Sequence, residues 1–530
     1  MKFDCSYCDK IVDDSDEEEF LYHKSHGHEL LPRIENNQQE EFRKEISSLT
    51  EDKYQQRLKQ EFEQLQQVID HDFPNRAFAI ETGLSVKTQL LIEGITQVFV
   101  LILMGMPSTH KSTVLEIISS IPDCYVSDSF TPKSFVSHSA NSKKEDLSKV
   151  DLLPRIRHKT LITAELAPLF SGNQDDLIEK FGMLTRILDG RGFQSDSGIH
   201  GQRGYVGDYS FMWLGAIVDI PHRVWKLIGN LGAKMYFLRL PHDRKTTDAK
   251  LEEIKQNLKE DFYIQRLESS KRAIQRFWYL IENRTHDKIK WDSENDDDDT
   301  FEKIIKLAML LAKLRATVPT WHTSDSDSGG SNYNYEMPVI EDPSRASSAF
   351  YNLARGHAVL FGRNYITKDD LVVVIPVALS SAPKERVELF KLLIQNNGKL
   401  TSSNFIEVAK VSRATALKEM KILYILGLVN ESEEEGTTKP VKTITLRKEF
   451  SYFLSEEFIA YLTKLDYLLT PKNSKLSKQE NLEKNRVSNP EKIDSYQSDK
   501  IDSQEFGDQS AQSSDSEAGQ PTPSSKRIWI

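Results

Sequence analysis

A chain of 530 residues, 38% of them hydrophobic, is long enough to bury the cores of two or three domains. Its formal net charge of −11 excludes a broadly basic nucleic-acid binder, so any contact with DNA must be local. Three cysteines exclude a disulfide framework and point to a reducing, cytoplasmic setting, and no apolar run is long enough to span a bilayer or to act as a signal sequence. The acidity is concentrated in Asp13–Glu19, Asp292–Asp299 and Glu431–Glu435, which read as solvated loops.

Residues 1–30 carry Cys5-x2-Cys8, then His23, His26 and His28. Two thiolates and two imidazoles, Cys5, Cys8, His23 and His28 (or His26), satisfy tetrahedral Zn²⁺, with Phe3 and Phe20 or Leu21 as a small apolar core. The spacing resembles a C2H2-type zinc finger. The Asp13–Glu19 run would repel phosphate, so a protein-contact or structural finger is at least as good a reading as a DNA-binding one. Residues 38–70 are Gln- and Glu-rich with a thin apolar stripe (Phe42, Ile46, Leu49, Tyr54, Leu58, Phe62, Leu65, Ile69), which predicts exposed helices over 31–75 acting as a spacer or coiled-coil arm.

Val98–Met104 is a continuous apolar run of strand length. Gly105-Met-Pro-Ser-Thr-His-Lys111-Ser112 follows, then Val114, Leu115, Ile117 and Ile118 at helical spacing. Strand, tight loop and helix are the context of a phosphate-binding loop, in which backbone N–H groups and a helix N-terminus meet the phosphates. Gly105, Pro107, Ser108, Thr109, His110, Lys111, Ser112 and Thr113 would line it, with Lys111 reaching the β- and γ-phosphates and Ser112 binding Mg²⁺. His110 stands where the usual pattern has its second glycine. The form G-x-P-S-T-x-K-S resembles the loop of the minichromosome maintenance (MCM) helicases, where a non-glycine residue is normal at that position.

A second apolar strand, Thr160–Thr163, ends in Ala164-Glu165, where a Walker B strand should lie. Its usual aspartate is Ala164 here. Glu165 remains to position water, and slow hydrolysis is a live outcome. Asp175–Asp189 has helical periodicity, and the glycine-dense Gly190–Gly207 suggests a β-hairpin before the buried strand Tyr209–Val218. This order resembles the pre-sensor-1 hairpin of the MCM and MoxR branches of the AAA+ ATPases. That resemblance implies a hairpin in the channel of a ring, with Arg191, His200 and Arg203 as DNA-contact candidates. It also makes Lys234 the counterpart of the arginine that reaches a neighbouring subunit's nucleotide.

Residues 246–318 are helical in pattern, and 323–335 read as a disordered low-complexity insertion. Asp342–Leu379 (DPSRASSAFYNLARGHAVLFGRNYITKDDL…) resembles the helical AAA+ lid, which implies Arg345 as the arginine closing on the γ-phosphate. Helices at Lys384–Gln395, Ser402–Val408 and Ser412–Leu426, followed by a ribbon, describe a winged helix-turn-helix over 384–454. Arg413, Thr415 and Lys418 would occupy its recognition helix, with Lys439, Lys442 and Arg447 in or beside the wing. Residues 470–530 cannot bury a core and are expected to be disordered; Lys526–Ile530 reads as a frayed end before it reads as a short docking peptide.

The expectation is a multidomain α/β protein: a three-layer AAA+ P-loop ATPase core over 76–245, a helical lid over 246–380, a zinc module and a winged helix. It would use ATP, Mg²⁺ and Zn²⁺ and work on DNA as a homo-oligomeric ring, with a protein partner at the finger or tail and no membrane. The alternative is a nucleotide-switched DNA-binding regulator with little turnover.

Overall fold

The computed structural model describes residues 48–136, 147–197, 201–231, 234–241, 262–284, 287–324, 331–434 and 441–469, with short pieces nearer the N-terminus and between 242 and 261. Three of those pieces are strands, β1 (Lys2–Cys5), β2 (Ile11–Asp13) and β3 (Leu30–Arg33), in an antiparallel sheet with β1 in the middle. Cys5 ends β1, while Cys8, His23, His26 and His28 lie outside the described residues. Among the described residues no group of three or more His, Cys, Asp and Glu side chains is placed to hold a metal ion.

Helix α1 (Glu51–Asp72) corrects the reading of 31–75 as an exposed arm. Its stripe of Tyr54, Leu58, Phe62, Leu65 and Ile69 is buried. A stripe that narrow is enough when one long helix lies along it, and here the partner is Phe262–Arg284. Phe62 meets Phe277 at 5.3 Å, and Ser270 Oγ donates to Asp72 Oδ2 at 3.1 Å. Helix α2 (Ala77–Lys87) is buried on nearly every side, as its near-absence of polar periodicity requires.

The core is a five-stranded parallel sheet: β4 (Val100–Met104), β5 (Cys124–Val126), β6 (Thr160–Thr163), β9 (Met212–Ile217) and β10 (Met235–Arg239), in the order β10-β4-β9-β6-β5. Along β4, Leu101 and Leu103 face one apolar layer, and Val100, Ile102 and Met104 face the other. Burial on both faces is why this strand reads as an unbroken apolar run. The first layer holds α1, α2 and α3 (Lys111–Ser119); the second holds α4 (Gln174–Ile187) and α5 (His222–Leu231). Between α4 and β9 the glycine-dense stretch forms the antiparallel hairpin β7 (Gly192–Ser197) and β8 (Gly201–Val206), tethered by Tyr205 Oη donating to Asp151 Oδ2 at 2.8 Å.

After the sheet come α6 (Phe262–Arg284), α7 (Asp298–Arg315), the ribbon β11 (Thr320–Ser324) and β12 (Ser331–Tyr335), α8 (Ser344–Leu360) and α9 (Leu371–Ser380). The ribbon flanks residues 325–330 and corrects the expectation of disorder over 323–335. Tyr333 and Tyr335 stand two apart on one face, and such alternation lets a polar stretch hold a strand. The acidic run at 292–299 is also no mere solvated loop. Asp296 Oδ1 accepts the Ile366 N–H at 2.8 Å, and Asp297 caps α7 at Thr300 N (3.2 Å). The outer edge of β10 is covered, its Phe237 and Arg239 N–H groups donating to Ser381 Oγ (2.9 Å) and Ser380 Oγ (3.1 Å).

Helix α8 crosses α2 at Gly356. A Cβ there would lie 1.9 Å from the Ser85 carbonyl oxygen, and Thr88 Oγ1 donates to the Gly356 carbonyl at 2.7 Å. Since backbone opposes backbone, neither side can yield cheaply. Gly356→Ala is expected to destabilise by about 2–3 kcal/mol, read as a lower urea midpoint at unchanged slope.

The last described unit runs α10 (Lys384–Gln395), β13 (Lys399–Thr401), α11 (Ser402–Ala409), α12 (Arg413–Ile425), β14 (Val429–Glu434) and β15 (Val441–Leu446), with the sheet ordered β13-β15-β14 and α13 (Glu456–Leu469) behind. The glutamates read as a loop begin inside β14, where Glu431 pairs with Lys421 at 2.7 Å. Among the described residues no helix is long and apolar enough to cross a membrane.

Candidate active site

Beyond Met104 the chain leaves the sheet at Gly105, where a Cβ would lie 2.7 Å from Thr109 Oγ1, so glycine is needed for the tight return. The Gly105 N–H donates to the Ile217 carbonyl of β9 at 3.3 Å. Two residues of the loop, Ser108 (φ 63°) and His110 (φ 57°), are left-handed. For a non-glycine residue that costs about 1–2 kcal/mol. His110 offsets part of it by setting its ring 5.3 Å from Phe73, which meets Tyr263 edge-on.

Lys111 opens α3 and is buried, with Nζ donating to the carbonyls of Gly105 and Met106, both at 2.8 Å. Burial presses its pKa down, Glu165 pulls it up and Arg76 presses it down again, so both charges act on the ammonium. Pro107, Ser108 and Ser112 are exposed at the loop's surface. Thr109 is turned inward, its Oγ1 donating to the Met106 carbonyl at 2.8 Å, and the Thr113 hydroxyl is engaged by Tyr263 Oη at 3.0 Å.

Glu165 lies just past β6 on the same carboxyl edge of the sheet, exposed, with Oε1 accepting the Ala167 N–H at 2.9 Å. Two residues of this neighbourhood carry no local motif. Arg76 is wholly buried against the loop, its Nε donating to the Thr109 carbonyl at 2.9 Å. Asp219 follows β9, the strand between β4 and β6, with Oδ1 3.9 Å from Arg239 Nη1. A carboxylate just past the predicted strand Tyr209–Val218 was the available signal for Asp219.

The sequence set Arg345 at the chain's own triphosphate and Lys234 at that of a neighbouring subunit, and the structure places both away from their own Lys111 loop. Lys234 directly precedes β10, whose Met235 pairs with Val100 at the amino end of β4. In a parallel sheet that end is opposite the loop, about 15 Å away at 3.3 Å per residue. Lys234 is 3% exposed, donating to Asp189 and to the Thr185 carbonyl (3.2 Å), so it is an internal ion pair rather than a surface cation. Arg345 is exposed in the first turn of α8. It acts on Lys234: burial lowers the Lys234 pKa most, Asp189 opposes this, and Arg345 and Arg186 add to the lowering.

The DNA-contact candidates are dispersed. Arg191 is exposed beside β7, Arg203 lies on β8 opposite Ser195, and His200 is outside the described residues. In the C-terminal unit Ser412 caps α12 through the Thr415 N–H (3.1 Å), and Arg413 is exposed. Lys418 lies over the Tyr333 ring at 5.7 Å, so the β11–β12 ribbon covers that part of α12. Lys442 is exposed on β15, Arg447 Nε donates to the Val429 carbonyl at 3.4 Å, and Lys439 is outside the described residues.

No protein-family model matches the chain, and no curated protein matches it. A similar solved structure is a Cytophaga hutchinsonii protein named as a candidate ATPase, 11% identical, with a TM-score of 0.35, covering 72% of this chain and 97% of that one. At that identity and score the likeness carries no argument. The reading of the site rests on its geometry.

Proposed function

We propose that the chain is an ATPase of the AAA+ type, resembling the MCM/MoxR group, that binds ATP and Mg²⁺ at the Lys111 loop. What supports the reading is one observation: a glycine-pinned loop leaves the carboxyl end of a central parallel strand and ends in a buried lysine at a helix N-terminus, with Glu165 acting on that lysine from two strands away. The donor set fits a triphosphate: loop N–H groups, the Lys111 ammonium, and an exposed Ser112 hydroxyl for the metal ion. Bound Mg²⁺ would neutralise charge on the phosphates. Lys111 would exchange its two loop carbonyls for phosphate oxygens. Glu165 would hold the attacking water once released from the Ala167 N–H. The finer reading is a DNA helicase or remodeller working as a ring, with Arg191 and Arg203 of the β7–β8 hairpin and Arg413 of the winged helix on DNA. Lys418 joins them only if the β11–β12 ribbon moves aside.

A second reading, a nucleotide-switched DNA regulator, is favoured by Ala164 in place of the aspartate and by a Glu165 carboxylate turned onto its own backbone. ATP hydrolysis with and without single-stranded DNA separates them. The ATPase reading expects turnover that falls at least tenfold in Glu165→Gln while ATP binding persists. DNA stimulation of that turnover supports the motor. Binding without turnover in the unaltered protein supports the switch.

A further inference from the structure

We propose that Arg76 is a positioning residue of the Lys111 loop, holding the Thr109–His110 peptide so that the loop has its anion-binding shape before any ligand arrives; this rests on the phosphate reading above. Arg76 sits at the N-terminus of α2, 33 residues ahead of its target, and is 0% exposed. A guanidinium is costly to desolvate, so its burial needs directed hydrogen bonds. Arg76 is the N-cap residue of α2, but its side chain makes no capping hydrogen bond to the first turn. Instead its donors join three segments: Nη1 to the Asn75 carbonyl (3.0 Å), Nε to the Thr109 carbonyl (2.9 Å) and Nη2 to the Pro241 carbonyl at the exit of β10 (3.4 Å).

The Thr109 contact falls at the most strained place in the loop. Ser108 and His110 on either side of it are left-handed, whereas Thr109 is not. Such alternation turns successive N–H groups to one side and makes a concavity for anions. Strain of this kind persists only where the surroundings over-determine it. A trans peptide is planar with its C=O and N–H antiparallel, so fixing the Thr109 carbonyl toward Arg76 directs the His110 N–H away from it. Gly105 and Lys111 hold the loop at its two ends, and Arg76 holds its middle. The positive charge behind the loop also adds to the field on Lys111.

The test compares Arg76→Lys and Arg76→Ala with the unaltered full chain, titrating ATP–Mg²⁺ by calorimetry and following melting. Arg76→Lys keeps the charge but cannot span three carbonyls, so about tenfold weaker binding is expected with a cooperative transition retained. Arg76→Ala should bind about 30-fold more weakly, with millimolar guanidinium restoring part of the loss. Rescue by a free guanidinium is a readout that general destabilisation would not give. Arg76→Lys carries the test if Arg76→Ala does not fold. Affinity unchanged in Arg76→Lys, while Lys111→Ala weakens binding at least tenfold, overturns the role of Arg76 and leaves the phosphate reading standing. Failure of the unaltered protein to bind ATP overturns both.

Discussion

Lys111→Ala is expected to weaken binding of ATP–Mg²⁺ by about 10- to 100-fold while leaving the fold intact. Hydrogen bonds to charged groups contribute about 1.5–3 kcal/mol, and each 1.4 kcal/mol is a factor of ten in affinity. The gain is net of an exchange, because in the free protein the ammonium already donates to the Gly105 and Met106 carbonyls at 2.8 Å. Those carbonyls belong to a loop whose Met106, Pro107 and Ser108 are exposed, so water can replace the lysine when it is removed. The stability cost should therefore be small beside the binding cost. Calorimetric titration with ATP–Mg²⁺, together with a melting curve, measures both. Affinity equal to that of the unaltered protein would mean that phosphates do not bind at this loop. Lys111→Ala and Glu165→Gln should also separate cleanly, the first losing binding and the second losing only turnover.

The Lys111 loop was legible in the sequence because its parts are contiguous: an apolar strand, a glycine, five residues and a helix start. The hairpin at 192–206 was legible for the same reason. What could not be read was anything set by the sheet's third dimension. Arg76 and Tyr263 reach the loop region from 33 and 150 residues away, and neither belongs to a local pattern. Lys234 resembles a residue that reaches a neighbouring subunit's nucleotide, and no local pattern announces its burial against Asp189, 45 residues earlier. A residue that precedes a parallel strand lies at the end opposite a loop that follows one. Arg239, by contrast, is the last residue of β10 and pairs with Met104 at the loop's edge. The aspartates at 296 and 297 show the same limit: composition reports that a run is acidic, and only tertiary structure reports which members bind an amide. The stripe on α1 was visible, but its burial depended on a partner two hundred residues on.

Stability is expected to fall as pH rises from about 6.5 through 9, and His357→Gln should remove most of that dependence. His357 on α8 is buried with a carboxylate at each ring nitrogen, Asp370 Oδ1 at 2.7 Å from Nδ1 and Glu81 Oε1 at 3.0 Å from Nε2. Two acceptors call for two donors, so the ring is an imidazolium. Burial alone would lower its pKa, but the hydrogen bonds and charges of Asp370 and Glu81 outweigh that and raise it from 6.5 to about 9. Arg363 completes the cluster, with Nη1 and Nη2 each 2.8 Å from an Asp370 oxygen, and Gln66 donates to Glu81 Oε2 at 3.3 Å. Because the folded pKa lies above the unfolded one, the contribution is complete below about pH 6.5 and disappears as pH passes 9. A shift of that size corresponds to about 3 kcal/mol. Asp370 works in the opposite sense: burial would raise its pKa, but His357 and Arg363 hold it low, so its contribution is lost only as pH falls through that depressed value. Urea midpoints at pH 6 and pH 9 should therefore differ in the unaltered protein and converge in His357→Gln. The variant should also be less stable at pH 6 by about 3–5 kcal/mol, since two carboxylates lose the cation between them. An unchanged pH slope in the variant would show that His357 is neutral and merely bridges α8 to α2. The cluster matters to the site because α2 runs from Arg76 at one end past Glu81 toward β4. Loosening its tie to α8 should then weaken ATP binding at high pH even with Lys111 intact.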